Sequence, residues 1–324
     1  MNSIDAVISW VNGYDLNYQK KLSDFCLTLG VEPNTVVEPT RIQQCNEIHY
    51  CLHSLFRFAP WLRTIYLITN EQIPQAVLDL QGSPLANKIC VIDQNELLRE
   101  QQISTPVFNS IAIEWLIWHI KGLSEQFIYL NDDFFLLREL TANDFFRDNQ
   151  LVLRGQWKKQ SEQKLFYRLK KCAYKIFTRQ EIKTSIDLHR HLQEKGAQLA
   201  RFDTYFFLLS HAPFSLKKTA FLEYLALNPQ AMADNLRYPF RHKEQVSSIP
   251  LITHQLMNAH EVVYDTHKRT IMVNGAYHSF KKIKNRLQQV QTNRNITFLC
   301  VQSLDQAPQE TKQYIDKWLT THIL

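Results

Sequence analysis

Three polar residues that end an apolar run, Asn131, Asp132 and Asp133, are the strongest candidates for chemistry in this chain. The preceding residues are aromatic and β-branched, which is typical of a buried strand. Parallel strands place ligand-binding residues at their carboxyl ends. Adjacent carboxylates offer the oxygen ligands that Mg²⁺ or Mn²⁺ prefers. We therefore predict a metal site at Asp132 and Asp133, with a turn or helix cap as the structural alternative.

A further carboxylate, Glu114, lies early in the mostly apolar helical segment 111–120. A carboxylate among apolar positions is costly unless it is paired or faces a site. We predict that Glu114 faces the same site as the aspartates. Exposure on the outer face of the helix is the alternative.

The order of apolar runs predicts the element that positions these side chains. Strand-like runs at 5–11, 64–69, 88–93 and 127–130 alternate with helical spacing at 47–58 and 111–120. This alternation favours an α/β fold, a Rossmann-like, mostly parallel sheet with helices on both faces. Two more runs, 151–156 and 296–301, are expected to extend the sheet, and 184–260 is predicted to be a mainly helical subdomain.

The loop after the first strand carries an Asn-Gly turn with polar and aromatic neighbours: Trp10, Asn12, Gly13 and Asp15. In an open α/β sheet this loop commonly faces the ligand. Core packing of Trp10 and a plain turn at Asn-Gly remain the alternative.

Composition limits the class of protein. The chain has 324 residues, 45% hydrophobic content and seven glycines, as expected for a globular protein. It has no apolar window of about eighteen residues and no signal-peptide pattern at residues 1–7, so a cytoplasmic location is expected. The six cysteines lack zinc-site spacing and are expected to be reduced.

Positive charge is concentrated in two places. Residues 154–183 contain ten lysines or arginines against two glutamates, and apolar residues recur there at helical spacing. Such a basic amphipathic helix can lie on the inner face of the plasma membrane as a peripheral contact. Packing of its apolar face on the core, with solvated lysines, is the alternative. A second basic patch, 280–286, is interpreted as solvated surface.

Four ordered blocks of the chain resemble the Stealth family of phosphotransferases. The matching residues are Ile4–Val7, Trp10–Gly13 and Asp15; Asn46–Glu47, Ser54–Leu55, Ala59–Trp61, Ile65–Asn70, Phe108–Ser110, Ala112–Glu114 and Phe127–Asp133; His211–Pro213, Lys218, Glu223, Pro229 and Phe240–Arg241; and, more weakly, the segment at Cys300.

The resemblance implies transfer of a sugar 1-phosphate, such as an N-acetylhexosamine 1-phosphate, from a UDP-sugar to an acceptor hydroxyl with release of UMP. The acceptor class is a growing polysaccharide or glycolipid. The family's catalytic residues correspond here to Glu114, Asp133, His211 and Arg241. Substrate-binding positions are expected at Trp10, Asn12, Gly13, Asp15, Asn109, Ser110, Asn131 and Lys218.

The same resemblance predicts three segments. Residues 1–150 are expected to form a nucleotide-sugar-binding core, 151–260 a basic segment with His211 and Arg241, and 261–324 a segment that completes the core. The chain departs from the family pattern at Gln302 and Ser303, at Asp93 and at His49, which suggests a different donor or acceptor or reduced activity.

Two other functions are compatible with the residues. A conventional glycosyltransferase uses the same carboxylates with a metal but releases UDP. A polymer-binding or nucleic-acid-binding protein fits the net charge of +6. Because no nucleic-acid module is recognised, we expect no nucleic-acid partner.

Overall fold

The computed structural model describes residues 3–103, 106–163 and 185–324. Its strands are β1 (Ile4–Ser9), β2 (Ile65–Thr69), β3 (Ile89–Asp93), β4 (Gln126–Asn131), β5 (Phe134–Leu136), β6 (Phe146–Arg147), β7 (Gln150–Leu153), β8 (Gly155–Lys159), β9 (Tyr205–Leu209), β10 (Phe214–Lys217), β11 (Val262–Tyr264), β12 (Arg269–Asn274) and β13 (Ile296–Gln302). Its α-helices are α1 (Leu16–Leu29), α2 (Pro33–Val36), α3 (Glu47–Phe58), α4 (Gln75–Leu78), α5 (Gln94–Glu100), α6 (Ser110–Glu114), α7 (Ser185–Leu199), α8 (Lys218–Leu227), α9 (Ala231–Leu236), α10 (Ser248–Asn258), α11 (Phe280–Thr292) and α12 (Gln309–Ile323).

The central sheet has the strand order β10-β4-β1-β2-β3. The pairs among β1 to β4 are parallel, so Ser9 pairs with both Ile68 and Asn131 at one edge. The edge strand β10 is antiparallel to β4 and begins at Phe214, opposite Tyr129. The α/β, mostly parallel fold class is therefore confirmed. The reversed strand brings the β9–β10 loop to the edge where β1 and β4 end.

Several local predictions were wrong. The runs 151–156 and 296–301 do not extend the central sheet, because β7 pairs with β6 and β11 while β13 pairs with β5 and β12. The segment 184–260 contains β9 and β10 as well as helices. The helix predicted over 111–120 ends at Glu114, and a 3-10 turn follows at Ile117–His119.

Strands β2 and β4 are apolar because both faces of the sheet are covered. Every residue of β2 is buried, as are the first five of β4. Large side chains such as Trp115, Phe127 and Phe298 are fully buried in one core that also includes residues from the C-terminal helix. Burial of a single large apolar side chain contributes about 1.5–3 kcal/mol. This packing fixes the sheet edge on which the candidate site is built.

A buried carboxylate, Asp5, lies at the amino-terminal end of the parallel strands, away from their carboxyl ends. Asp5 accepts hydrogen bonds from Arg63 (Nε, 2.9 Å) and from the Ser124 backbone and hydroxyl (both 2.7 Å). These contacts join the start of β1 to the segments that precede β2 and β4. Asp5, although part of the first family block, therefore has a structural position away from the site.

The apolar stripe that predicted a basic amphipathic helix, from Leu165 to Ile176, lies outside the described residues. The basic segment that contains it begins at Arg154, which is 6% exposed and belongs to the core, and continues into the strand β8 (Gly155–Lys159). Within the part of the chain that the structure describes, no helix combines the length and apolar character needed to cross a membrane.

Candidate active site

A cleft of about 1160 Å³ lies at the carboxyl edge of β1 and β4. It is lined by many of the predicted residues: Trp10, Asn109, Ser110, Glu114, Asn131, Asp132, Asp133, His211 and Arg241. These come from five separate parts of the chain. The fold therefore brings together residues that the sequence could relate only through their order.

Two aspartates after β4 form the centre of an acidic wall. Burial raises the pKa of Asp132 to about 6, partly offset by a hydrogen bond from Gln44. Burial, and then the neighbouring charge of Asp132, raise the pKa of Asp133 well above its usual range. The Cys300 thiol donates to Asp133 Oδ2 over 3.5 Å, while Oδ1 is buried without a hydrogen-bond partner.

The acidic wall also includes two carboxylates that the sequence analysis did not assign to the site. Glu47 begins α3 and is 7% exposed, and it accepts a hydrogen bond from the Cys45 backbone N–H (2.6 Å). Burial, and then the charge of Asp132, raise the pKa of Glu47 to about 7. Asp305 lines the same cleft and accepts a hydrogen bond from the Thr40 hydroxyl (2.7 Å).

The acidic wall is suited to a cation that shares its ligands with a substrate. No group of three or more His, Cys, Asp or Glu side chains among the described residues is arranged to hold a metal ion. The unpartnered Asp133 Oδ1 nevertheless supplies a buried oxygen beside a second carboxylate. Magnesium is usually held by one or two carboxylates, with water and substrate phosphates completing the shell. Asp132 and Asp133 fit that arrangement.

The cleft is also lined by a carboxylate and a guanidinium group, Glu114 and Arg241, each hydrogen-bonded to a serine. Glu114 ends α6 and accepts a hydrogen bond from the Ser247 hydroxyl (2.5 Å). Burial raises its pKa to about 7, although Ser247 and the charge of Arg241 act against this. Arg241 donates from Nη2 to the Ser110 hydroxyl (2.7 Å). The helix that contains Glu114 is shorter than predicted. The carboxylate of Glu114 nevertheless lines the cleft, as expected of a carboxylate that faces a site.

His211 lies in the β9–β10 loop and lines the same cleft as the aspartates. Its ring packs edge-on against Phe134, with ring centroids 6.1 Å apart. Burial lowers the pKa of His211, so the imidazole is mainly neutral at pH 7. A neutral ring nitrogen in a cleft can accept a proton from a hydroxyl.

Tyr129 also lines the cleft. Its hydroxyl is hydrogen-bonded to that of Ser9 (2.8 Å) in the neighbouring strand β1, where Val7 is its register partner. Burial, and then the charges of Glu114 and Asp132, raise the pKa of Tyr129, while Arg241 lowers it. All three charges therefore lie within electrostatic reach of one phenol.

Four predicted substrate-binding residues lie elsewhere. Asp15 caps α1 by accepting from the Tyr18 backbone N–H (2.8 Å), and Asn12 accepts from that of Tyr14 (3.0 Å). Gly13 packs against Ile42, whose side chain leaves no room for a Cβ. Lys218 lies at the opposite edge of the sheet, where its backbone N–H donates to Glu125 (2.9 Å). Antiparallel β10 carries Lys218 away from the cleft.

The departures from the family pattern fall in different places. Gln302 and Ser303 line the cleft, and Asp305 beside them supplies a carboxylate from that loop. Asp93 caps α5 by accepting from the Asn95 backbone N–H (3.1 Å). The ring of His49 packs on that of His53, 4.6 Å away on the same helix. Only the first two departures are in a position to contact a substrate in the cleft.

Comparison with known proteins agrees with the second of the four sequence blocks. Residues 41–153 match conserved region 2 of Stealth proteins, a segment that contains Asn109, Ser110, Glu114 and Asn131–Asp133. A capsular polysaccharide phosphotransferase of Actinobacillus pleuropneumoniae is 34% identical over 151 residues, which are 46% of this chain and 40% of that protein. An exopolysaccharide phosphotransferase of Lactiplantibacillus plantarum is 38% identical over 148 residues, again 46% of this chain and 40% of that protein.

The aligned part of the chain thus spans about 40% of the length of these relatives. Among solved structures, the galactosyltransferase LgtC in complex with donor and acceptor sugar analogs aligns with 98% of this chain and 95% of its own, at 9% identity and a TM-score of 0.47. A likeness at this level carries no statement about substrates.

Proposed function

Since the chain belongs to the Stealth family, we propose that it is a phosphotransferase that moves a sugar 1-phosphate from a UDP-sugar to an acceptor hydroxyl. The product is a phosphodiester link in a capsular or other surface polysaccharide, and UMP is released. The observation that carries the proposal is one cleft lined both by paired carboxylates, which suit a cation, and by Arg241. A transferred phosphoryl group with negative oxygens needs positive charge around it.

The reaction requires a base, and His211 is the best placed candidate. The acceptor hydroxyl attacks the phosphorus that bears the sugar. A new P–O bond forms as the bond from that phosphorus to the bridging oxygen of UMP breaks. The hydroxyl proton passes to a ring nitrogen of His211, which burial keeps mainly neutral at pH 7.

Arg241 and Glu114 orient the transferred group in this proposal. The planar guanidinium donates two parallel hydrogen bonds to phosphate oxygens, and Ser110 fixes its position. With a pKa of about 7, Glu114 can retain a proton for the departing phosphate, and in its ionised form it attracts Arg241. A Mg²⁺ or Mn²⁺ ion on Asp132 and Asp133 would supply charge neutralisation to the diphosphate.

A conventional glycosyltransferase remains the second candidate. In that reaction the acceptor attacks the anomeric carbon and UDP leaves, and the same carboxylates serve the metal. Among the described residues no group of three metal-binding side chains is found. In either reaction, oxygens of the substrate diphosphate would complete the shell of a metal on Asp132 and Asp133. The released nucleotide separates them.

The test is phosphorus NMR of the protein with Mg²⁺, a panel of UDP-N-acetylhexosamines and a phosphodiester-linked oligosaccharide primer, with EDTA as control. We expect a new phosphodiester signal together with UMP. Release of UDP without a phosphodiester would replace the proposal with sugar transfer. The panel identifies the donor sugar, for which N-acetylglucosamine and N-acetylmannosamine are the first choices.

The acceptor and location follow from the same proposal. We expect the enzyme to act in the cytoplasm on a growing polysaccharide or glycolipid, with peripheral contact to the inner face of the plasma membrane. Sedimentation with anionic liposomes, before and after charge reversal at Lys170 and Lys171, tests that contact. Equal binding of the two proteins would remove the role assigned to those lysines.

A further inference from the structure

A second arginine lines the cleft near Arg241. Arg41 lies in the 3-10 turn Pro39–Arg41, in a loop for which the sequence analysis assigned no function. Both guanidinium groups belong to residues that line the cleft. After burial, the charge of Arg41 is the main cause that lowers the pKa of Arg241 to about 10. Two like charges are thus held within electrostatic reach of each other.

The loop that carries Arg41 is fixed at three points. Arg41 Nε donates to the Glu38 carboxylate (2.8 Å), which lies on the exposed side of the loop. The Thr40 hydroxyl donates to Asp305 (2.7 Å), in the loop after β13. The Gly13 backbone N–H donates to the Ile42 carbonyl (2.6 Å). The backbone beside Arg41 is therefore tied to the loops after β1 and β13, which both reach the same edge of the sheet.

Like charges held together in a partly buried cleft repel each other unless an anion lies between them. Glu38, which is half-exposed and also lines the cleft, pairs with Arg41 and attracts Arg241, so the two guanidinium groups share this one carboxylate. Glu114 also attracts Arg241, but burial raises its pKa to about 7 and so weakens its neutralising charge. A single phosphate occupies one guanidinium fork. Two forks from two loops match an anion with two adjacent phosphates.

We propose that Arg41 and Arg241 together bind the two phosphates of a nucleoside diphosphate. This inference rests on the proposed function and deepens it, because it assigns the donor's diphosphate to a pair of arginines that line the same cleft as the acidic wall. Arg241 holds the phosphate nearer to Glu114 and Tyr129, where transfer occurs. Arg41 holds the other phosphate, which leaves with the nucleoside, and so determines how tightly the donor binds.

The test measures binding of UDP and of UMP by isothermal titration calorimetry in the presence of Mg²⁺. We compare the unaltered chain with Arg41→Gln, Arg41→Lys and Arg147→Gln. Arg147 is exposed, lies outside the cleft lining and donates to the Asn143 carbonyl, so its replacement removes one positive charge at a distance. Thermal melting of each variant establishes that it is folded.

Loss of a charge-assisted contact predicts about 10- to 100-fold weaker UDP binding for Arg41→Gln. Arg41→Lys keeps the charge but not the fork, so an intermediate loss is expected. UMP keeps the phosphate assigned to Arg41, so UMP binding should weaken by a similar factor in Arg41→Gln, and Arg147→Gln should match the unaltered chain for both ligands.

Each other outcome overturns the inference. Equal UDP affinity in Arg41→Gln and Arg147→Gln, with tight binding by the unaltered chain, overturns the arginine pair and leaves the proposed function intact. Weaker UDP binding with unchanged UMP binding in Arg41→Gln would show that Arg41 does not hold the phosphate that stays with the nucleoside. Full UDP affinity in Arg41→Lys would show that Arg41 acts by general charge instead of by a two-point contact. An unaltered chain that binds neither UDP nor a UDP-sugar overturns the proposed function as well.

Discussion

At the scale of single residues, the acidic wall contains three carboxylates that burial makes difficult to ionise. Asp132, Asp133 and Glu47 all have raised pKa values, and burial is the largest cause for each. The charge of Asp132 further raises the pKa values of Asp133 and Glu47. The folded protein loses stability when such a buried acid ionises, and a bound cation offsets that loss. The wall therefore combines a stability penalty with a capacity to bind metal.

Glu47 gives the clearest stability test of this wall. Its folded pKa, about 7, lies above the ordinary value of 4.5, so its contribution to stability is fully present below pH 4.5 and is lost as the pH rises through 7. The difference corresponds to on the order of 3 kcal/mol above pH 7. Glu47→Gln keeps an acceptor for the Cys45 N–H and cannot ionise. Urea unfolding in EDTA should find the variant more stable than the unaltered chain at pH 8, with the gap closing towards pH 4.5.

The control for Glu47 is the exposed Glu223, for which the Gln substitution should change stability by about 0.5 kcal/mol or less at every pH. A Glu47→Gln variant that is equally destabilised at pH 5 and pH 8 would indicate lost packing or hydrogen bonding, and would contradict the account of Glu47 as a strained acid.

Asp133 gives the corresponding activity test. Asp133→Asn keeps the shape and removes the charge, so turnover of the UDP-sugar should fall by about 10²–10³-fold. Because burial raises the pKa of Asp133, the neutral Asn should leave the fold at least as stable at pH 8. Rate and thermal melting are measured on the same sample. Full activity in this variant would remove Asp133 from the proposed machinery, whereas loss of the fold would make the rate uninformative and require Asp133→Glu.

At the scale of elements, the sequence predicted strands better than it predicted their partners. The four parallel strands were located within a few residues because their apolar runs are local signals. The runs that became β7 and β13 look the same in sequence, yet they pair in separate sheets. Periodicity does not determine which strand is the neighbour. The short helix that ends at Glu114 was overestimated because its apolar spacing continues through the 3-10 turn that follows.

The candidate site was predictable where strands end and unpredictable where loops meet. Asp132 and Asp133 follow directly from β4, while His211 and Arg241 were found only through the order of the family blocks. Arg41 and Ser247 were missed, since they reach the cleft through contacts between segments that are distant in the chain. Glu47 had a usable signal, because it is a carboxylate at the start of an apolar helix, as Glu114 is within one.

At the scale of elements, we predict that Arg154 stabilises the fold by joining several of them. Composition placed it at the start of a basic segment, but its guanidinium lies between the Phe145 and Phe298 rings, with its Cζ 5.3 Å and 4.9 Å from their centroids. It bonds both Asp265 (3.0 Å) and the Asp144 carbonyl. This joins β7, the turn before β6 and the residue after β11. Arg154→Ala leaves a buried carboxylate unpaired and should cost about 3–5 kcal/mol in urea unfolding.

Two comparisons complete the Arg154 experiment. Lys159→Ala, in the same basic segment but exposed, should change stability by about 0.5 kcal/mol or less. The double variant Arg154→Met with Asp265→Leu should recover most of the loss, because it removes both buried charges. A single variant that unfolds at the same urea concentration as the unaltered chain would show that Arg154 is solvated, as its sequence context first indicated.

At the scale of the whole molecule, hydrogen bonds join loops around the cleft that the central sheet does not itself connect. The Phe108 backbone N–H donates to the Pro239 carbonyl (2.8 Å), and Arg241 donates to Ser110, so the loop before α10 rests on the segment before α6. Asp305 and Thr40 join the loop after β13 to the Arg41 loop. A ligand in the cleft contacts all of these loops at once. Its binding should therefore order them together.

Hydrogen exchange with UDP and Mg²⁺ tests this coupling. At a ligand concentration 100 times the dissociation constant, binding stabilises the folded chain by about 2.7 kcal/mol, and the loops that open locally gain up to that amount of protection. We expect joint slowing of exchange at 38–44, 107–114, 237–247 and 301–306. Residues 121–126, at the opposite sheet edge where Asp5 binds Ser124, serve as the internal control and should not change relative to global stability. Protection confined to one loop would mean that the cleft binds the nucleotide through that loop alone, and would contradict a site assembled from the whole fold.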